Sequence, residues 1–238
     1  MIDNGIDRLY SLSILLTKGV MFMSKLSVTS KLDGIKSFSL NALETCAGSR
    51  KPNGELVDAC SGCYATQGNY RYPNVKEPRN FNKRDWQRDS WVDDMVKLLD
   101  NERYFRWFDS GDIYSVKLAW KIYKVMELTP WVKHWLPTRM YKFSKFLPVF
   151  DMMKRLPNVM VRFSSDSIVG EFDSVHGSTI IPANMKTPLG VEKCQAFMNN
   201  GKCNNCRKCW SKDIPVIAYV AHGRSMTKKL KNKGFINE

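Results

Sequence analysis

The placement of cysteine constrains this chain more than any other feature. Seven are present, an odd number that cannot all pair within one chain. Cys46, Cys60 and Cys63 lie near the front, Cys194, Cys203, Cys206 and Cys209 near the end, and none between the two groups. At 238 residues a single core buries roughly 70% of the unfolded chain's surface, so disulfides are not needed merely to fold. Clustered thiols without a convincing export signal point to a reducing compartment and to metal binding. The front apolar patch at 13–16 is interrupted by Lys18 and is followed by no clear small-residue cleavage site. The expected setting is cytoplasmic, that of the host cell for a phage-encoded chain. Met21 and Met23 are candidate start sites, which makes residues 1–30 a leader or extension. Residues 31–238 are then one domain that includes a cysteine-rich loop at 190–212.

From about Ile35 onward, short runs with period-two alternation exchange with amphipathic helical stretches, the pattern of parallel strands joined by crossover helices. Strands are expected at 35–40, 104–108, 131–136, 159–163, 179–181 and 216–220. Helices are expected at 84–100, from just after Asp112 to Pro130, and at 148–156. An eightfold barrel takes about 250 residues, and the chain from 35 onward suits six units better. The expected fold class is therefore α/β, an incomplete (β/α)6-type barrel carrying a cysteine-rich metal-binding insertion. Polar residues follow the proposed strands: Cys46, then residues 109–112, Thr138 with Arg139, and residues 164–166. Ligands bind at such carboxyl ends in parallel α/β folds, although a turn or helix cap is the simpler explanation of any one of these groups taken singly.

The rear cysteines are spaced Cys194-x8-Cys203-x2-Cys206-x2-Cys209 in a loop rich in Asn, Gly and Lys, which has little core of its own. A metal centre would supply its folding free energy. Zinc sites usually draw two thiolates from each of two turns, whereas consecutive C-x2-C-x2-C spacing is that of the ferredoxin run. A 4Fe-4S cluster is expected, with zinc as the alternative. The front group, Cys46-x13-Cys60-x2-Cys63 followed by Tyr64, offers three thiolates, which would leave one iron of a second cluster open to a ligand. A zinc half-site completed from afar is the competing reading there. His134, His176 and His222 lack partners at ligand spacing and read as structural or solvent-facing.

Three cysteines after the first strand with an aromatic beside the last, Ser110-Gly111-Asp112 after the second strand, and a later four-cysteine cluster resemble the radical S-adenosylmethionine superfamily with an auxiliary cluster. The blocks at 60–65 (CSGCYA), 105–112 (FRWFDSGD) and 201–209 (GKCNNCRKC) are more closely similar to an uncharacterised phage-encoded cysteine-rich family. The superfamily resemblance implies an enzyme that reductively cleaves S-adenosylmethionine with electrons from a reductant protein. It also implies a cofactor contact at Tyr64, backbone approach at Gly111 beside Ser110, and an Asp112 carboxylate that accepts protons from the methionine amino group. The usual three-cysteine motif spans eight residues, and here thirteen separate Cys46 from Cys60. An N-cap of the next helix is the alternative role for Asp112.

Formal charge is +14; two stretches, at 69–88 and 131–146, interleave basic residues with aromatics, and 222–234 adds five basic residues with no acid. Such surfaces suit single-stranded nucleic acid, and a metal-stabilised nucleic-acid-binding protein without catalysis is the alternative function. A basic excess is also the ordinary composition of a solvated surface. No uncharged 18-residue run exists to span a bilayer, so no membrane partner is expected.

Overall fold

The computed structural model describes residues 23–236. In chain order the elements are β1 (Ser27–Thr29), β2 (Ile35–Phe38), α1 (Asp58–Ser61), α2 (Pro73–Asp85), α3 (Trp91–Leu98), β3 (Tyr104–Trp107), α4 (Val116–Leu128), β4 (Lys133–Thr138), α5 (Leu147–Arg155), β5 (Val159–Phe163), β6 (Ser178–Ile181), β7 (Val191–Lys193), β8 (Val216–Val220) and α6 (Arg224–Asn232). Strands β1-β2-β3-β4-β5 form one mixed sheet in which only the β1–β2 pair is antiparallel. Strands β6-β8-β7 form a second, parallel sheet, and a single parallel bridge, Ser164 to Ser178, joins the two.

The fold class is mixed α/β, and strand–helix alternation holds from β2 to β5. It stops there. Between β5 and β6, and between β6 and β8, no α-helix intervenes, so the expected six regular units are not repeated through the second half. The chain there spends its residues on turns and on the cysteine-rich insertion, whose Asn, Gly and Lys content offers no apolar helical face.

Period two along the central strands separates two faces. Phe38, Phe105, Trp107, Leu136, Val159, Val161 and Phe163 face the main core with α3, α4 and α5. The opposite face presents Ile35 and Trp135, covered by Trp210 of the insertion. Trp210 donates Nε1–H to the Phe105 carbonyl at 2.9 Å and packs edge-on against Trp135 and Tyr104.

Several boundaries differ from the sequence expectation. The helix expected at 84–100 is two elements: α2 closes at Asp85 and α3 begins at Trp91. Arg88 spans the break, reaching Asp85 at 2.7 Å and Asp94 at 2.8 Å. The α2 helix escaped the apolar pattern because its buried residues are Arg79, Asn82 and Asp85. Asn82 exchanges hydrogen bonds with Lys25 and donates to Ser39, while Ser24 donates to Asp85 at 2.7 Å. These contacts and β1 place residues ahead of position 31 inside the packed fold. Residues 1–22 of the expected leader lie outside the described residues. The third strand begins two residues later than expected, at Lys133, and Pro137 lies within it.

His134 sits fully buried on β4. Thr129 donates its hydroxyl to the Val125 carbonyl, so that oxygen accepts from His134 Nε2–H at 2.9 Å, and His134 Nδ1 accepts from Trp107 Nε1–H at 3.3 Å. Burial pushes this imidazole down to about 3. The unfolded chain gains its proton near pH 6.5 while the fold does not, so this stability is intact above that pH and is lost as pH falls toward 3. The loss runs at up to ~1.4 kcal/mol per pH unit. Urea unfolding at pH 7 and pH 5 is expected to show His134→Gln less stable at pH 7 yet less pH-dependent, by roughly 2 kcal/mol over that interval. Equal slopes would remove His134 from the acid sensitivity.

Candidate functional site

One cavity of about 570 Å³ opens at the carboxyl ends of the parallel strands. Six of the seven cysteines line it: Cys46, Cys60 and Cys63 from the front, and Cys194, Cys203 and Cys209 from the rear. Cys206 is exposed and lies off its wall. Tyr64, Ser110, Gly111 and Asp112 also line it, as do Thr138, Arg139, Ser164 and Ser165 after β4 and β5. Two cysteine groups far apart in sequence thus share one space. All seven thiols are free.

Short-range backbone bonding shapes the front group. Ser49 donates through both its amide and its hydroxyl to the Cys46 carbonyl, at 2.9 and 2.6 Å, and Cys63 N–H closes a turn on the Cys60 carbonyl at 3.1 Å. Gly48 lies so near Arg139 that a Cβ would fall 2.4 Å from its carbonyl oxygen, so only glycine lets this loop press against β4's end. Burial pushes the Cys46 thiol up to about 12, with Asp112, Cys60 and Cys63 adding to the rise. Burial also raises Cys60 and Cys63, opposed at both by the Arg139 guanidinium.

Asp112 does not cap α4, whose N-cap is Ser115. Its carboxylate accepts from Thr138 Oγ1 at 2.7 Å, Arg139 N at 2.9 Å and Ile113 N at 2.7 Å, tying the turn after β3 to the end of β4. Burial pushes it up to about 6, against those three donors. Ser110 donates to the Leu40 carbonyl at 2.6 Å, and Gly111, at φ 80°, would bring a Cβ within 2.7 Å of Leu40. Ser110, Gly111 and Asp112 therefore build the wall through bonds to their own chain. Tyr64 differs. Its hydroxyl donates to the Asp109 carbonyl at 2.8 Å, and its ring, 48% exposed, turns that surface to the cavity.

The rear group rests on a buried arginine that the strand pattern alone did not single out. Arg162, on β5, is 0% exposed. Its guanidinium donates to six carbonyls, those of Cys209, Gly177, Ile214, Pro215, Lys208 and Ser211, at 2.9–3.3 Å. Five N–H bonds serve six acceptors, so Nη1 shares its two hydrogens among three. No carboxylate is among these partners. Burial disfavours its charge, and the nearby acidic groups that oppose this are the Tyr219 phenol and the Cys209 thiol, both themselves pushed toward the protonated form by burial. Cys209 lies 3.3 Å from the Tyr219 hydroxyl, and burial pushes its thiol up to about 11 while Arg162 and Arg106 pull it down. Cys203 hangs from the Lys31 carbonyl, and the following turn is pinned where Asp33 accepts from Asn205 N and pairs with Arg207, each at 3.0 Å. Asn204 and Asn205 adopt the left-handed conformation that this turn requires.

Arg106 stands between the groups. It pairs with Asp109 at 2.8 Å, reaches the Tyr64 hydroxyl at 3.5 Å and stacks 4.8 Å from the Trp135 ring. Six buried side-chain polar atoms among the described residues find no hydrogen-bond partner, although two of them, Arg139 Nε and Asp166 Oδ1, face each other as an ion pair at 3.4 Å. Four of them, Thr29 Oγ1, Arg106 Nε, Trp135 Nε1 and Arg139 Nε, belong to residues lining this cavity. Each can donate a hydrogen bond. A run such as 104–107 or 133–136 could have flagged Arg106 and Trp135, because polar or amphipathic residues recur there on the face opposite Phe105, Trp107 and Leu136.

The family model described as gene product 88 matches residues 16–212, a span holding every cysteine. The chain belongs to the gene product 88 family. That is a phage-type family, and the assignment agrees with the resemblance of the three sequence blocks. No curated protein and no solved structure matches the chain. The superfamily likeness therefore rests on the cysteine and Ser110-Gly111-Asp112 patterns alone. Among the described residues no three His, Cys, Asp or Glu side chains converge as the ligand set of a metal ion, and no helix is long and apolar enough to cross a membrane.

Removing the Arg162 guanidinium strands the part-buried carbonyls along 208–215 and the buried one of Gly177. Arg162→Met is expected to cost roughly 3 kcal/mol or more in urea unfolding, and Arg162→Lys less, since three donors remain. Protease cleavage of both variants should concentrate in 200–215, and uniform cleavage along the chain would contradict the assigned role.

Proposed function

We propose that this chain is an iron-sulfur protein in which Cys46, Cys60 and Cys63 hold one 4Fe-4S cluster and Cys194, Cys203, Cys206 and Cys209 hold a second. The observation that carries this reading is the Arg162 guanidinium, fully buried and lacking a carboxylate partner beside the Cys209 thiol. A buried cation is costly unless compensated, and thiolate ligands provide the compensating charge. Tyr219, held protonated by its burial, can donate to the Cys209 sulfur. The unpaired donors on Arg106, Trp135 and Thr29 suit acceptor sulfurs in the same space.

When bound, such clusters supply one-electron chemistry. The chain's own part is to bind them, set their surroundings and limit water. Arg139 faces the front thiols and favours their charged form. The phenol of Tyr64 beside Cys63 presents a ring to whatever enters the cavity. The finer reading follows the superfamily resemblance. The two sheets would wrap the cavity as an incomplete barrel, and the front centre would reductively cleave S-adenosylmethionine with electrons from a partner reductant protein. In that reading Tyr64 offers the ligand surface, while Ser110, Gly111 and Asp112 shape the wall behind it.

Zinc is the competing metal. It usually draws two thiolates from each of two separate turns, whereas Cys203, Cys206 and Cys209 follow one another at C-x2-C-x2-C spacing. Cysteines rimming a broad cavity suit a polynuclear core better.

Anaerobic purification with iron, sulfide and zinc analysis is expected to give about eight iron and eight sulfide per chain. Alanine at Cys194, Cys203, Cys206 and Cys209 should halve both. Stoichiometric zinc without sulfide would reject the proposal. Because the Cys46 and Cys209 thiols lie far above neutrality, loading displaces protons, and cluster retention is expected to weaken as pH falls from 8 to 6. Loaded protein given S-adenosylmethionine and reductant should release 5′-deoxyadenosine, and a fully loaded sample that releases none rejects the finer reading alone.

A further inference from the structure

The α6 helix and its C-cap Lys233 divide five basic residues between two faces. Lys229 and Lys233 turn inward, both pairing with Asp58, at 2.9 and 2.6 Å, just ahead of the front cysteines. Met226 and Leu230 pack beside them against Ala59 and Ile168. Arg224, Lys228 and Lys231 remain. They recur at i, i+4 and i+7, so they form one stripe on the outer face, and all three are exposed. No acidic residue lies anywhere in the helix.

This stripe starts at the cavity. His222 and Met226 line the cavity wall, with Arg224 between them in sequence. The loop after the front cysteines meets the same point, since Gln67 donates to Ser225 at 2.6 Å and Gly62 packs against Met226. That loop carries exposed Arg71 and, 58% exposed, the ring of Tyr72. A row of cations roughly 10 Å long thus begins next to cavity-lining residues, and the loop that touches the start of α6 carries an exposed stacking ring.

We infer that this rim binds single-stranded nucleic acid, with phosphates along Arg224, Lys228 and Lys231 and a base directed toward Tyr72 and the cavity. Three features select that occupant. Successive cations on one stripe match a linear row of phosphates. An exposed aromatic ring offers stacking of a kind that an acidic peptide does not use. A membrane surface is disfavoured because the apolar face of α6, Met226 and Leu230, is already buried within the protein. The inference deepens the iron-sulfur reading by naming the substrate class at the cavity, but the stripe itself does not depend on a cluster.

The test is fluorescence anisotropy of the full chain with a labelled single strand of roughly a dozen nucleotides, as DNA and as RNA, over a series of salt concentrations. It is run on cluster-free and iron-loaded protein. The triple variant R224E/K228E/K231E is expected to weaken binding at least tenfold and to lower the salt slope by about 2. Tyr72→Ala should weaken binding with the slope unchanged. K117E/K124E, on exposed residues of α4, should leave binding as it was. Stripe-dependent binding by both forms upholds the inference even where iron analysis rejects the cluster. Loaded protein whose binding ignores the stripe variant, falls equally with the α4 control, or is displaced equally well by polyglutamate overturns the inference and leaves the cluster reading standing.

Discussion

A single guanidinium holds the two halves of this molecule in register. Arg162 rises from β5 into the turn segments at 208–215 and donates to six carbonyls, five of them from those turns and the sixth from Gly177, just ahead of β6. Beside those bonds, the cysteine-rich insertion is held by the pairing of β7 with β8, by Trp210 and by surface pairs such as Arg207 with Asp33. The arrangement is costly because the charge is buried and its acceptors are neutral. Its surplus charge is set beside Cys209 and Tyr219, which makes the geometry of the insertion and the ionisation of its thiols parts of one problem.

The sheet then does two jobs. One face is a conventional apolar core under α3, α4 and α5, in which even the histidine is neutral and fully hydrogen-bonded. The other face carries Arg106, Trp135 and Arg162 on three successive strands, and it is there that donors without partners collect. Apolar packing and buried polar groups are thereby segregated to opposite sides of a sheet one strand thick. Asp112 and Gly48 join the sides at the rim, one by accepting three hydrogen bonds and the other by letting a loop approach a carbonyl.

Much of the first half was legible in sequence. The runs at 104–108 and 159–163, and the helices over 116–128 and 147–155, announce themselves by apolar period, and the residues just past the strands do line one cavity. The polar helix α2 was not legible, because its buried face is Arg79, Asn82 and Asp85 and its partners lie far away in sequence. Regular alternation also failed after β5, where turns replace helices and pairing is set by long-range contacts such as Gly177 with Phe163. The cysteines were legible as two groups but not as one space. Their meeting depends on Arg106, Trp135 and Arg162, ordinary-looking residues on strands whose significance lies in facing the insertion.

The central claim is that these thiols gather around iron. Crystals of the full chain grown without oxygen, with diffraction recorded on both sides of the iron absorption edge, test it most directly. The account predicts two sets of anomalous peaks, one within the cavity against Cys46, Cys60 and Cys63 and another at its edge against Cys194, Cys203, Cys206 and Cys209. A map with no iron signal, or with one isolated zinc ion at either group, would contradict it.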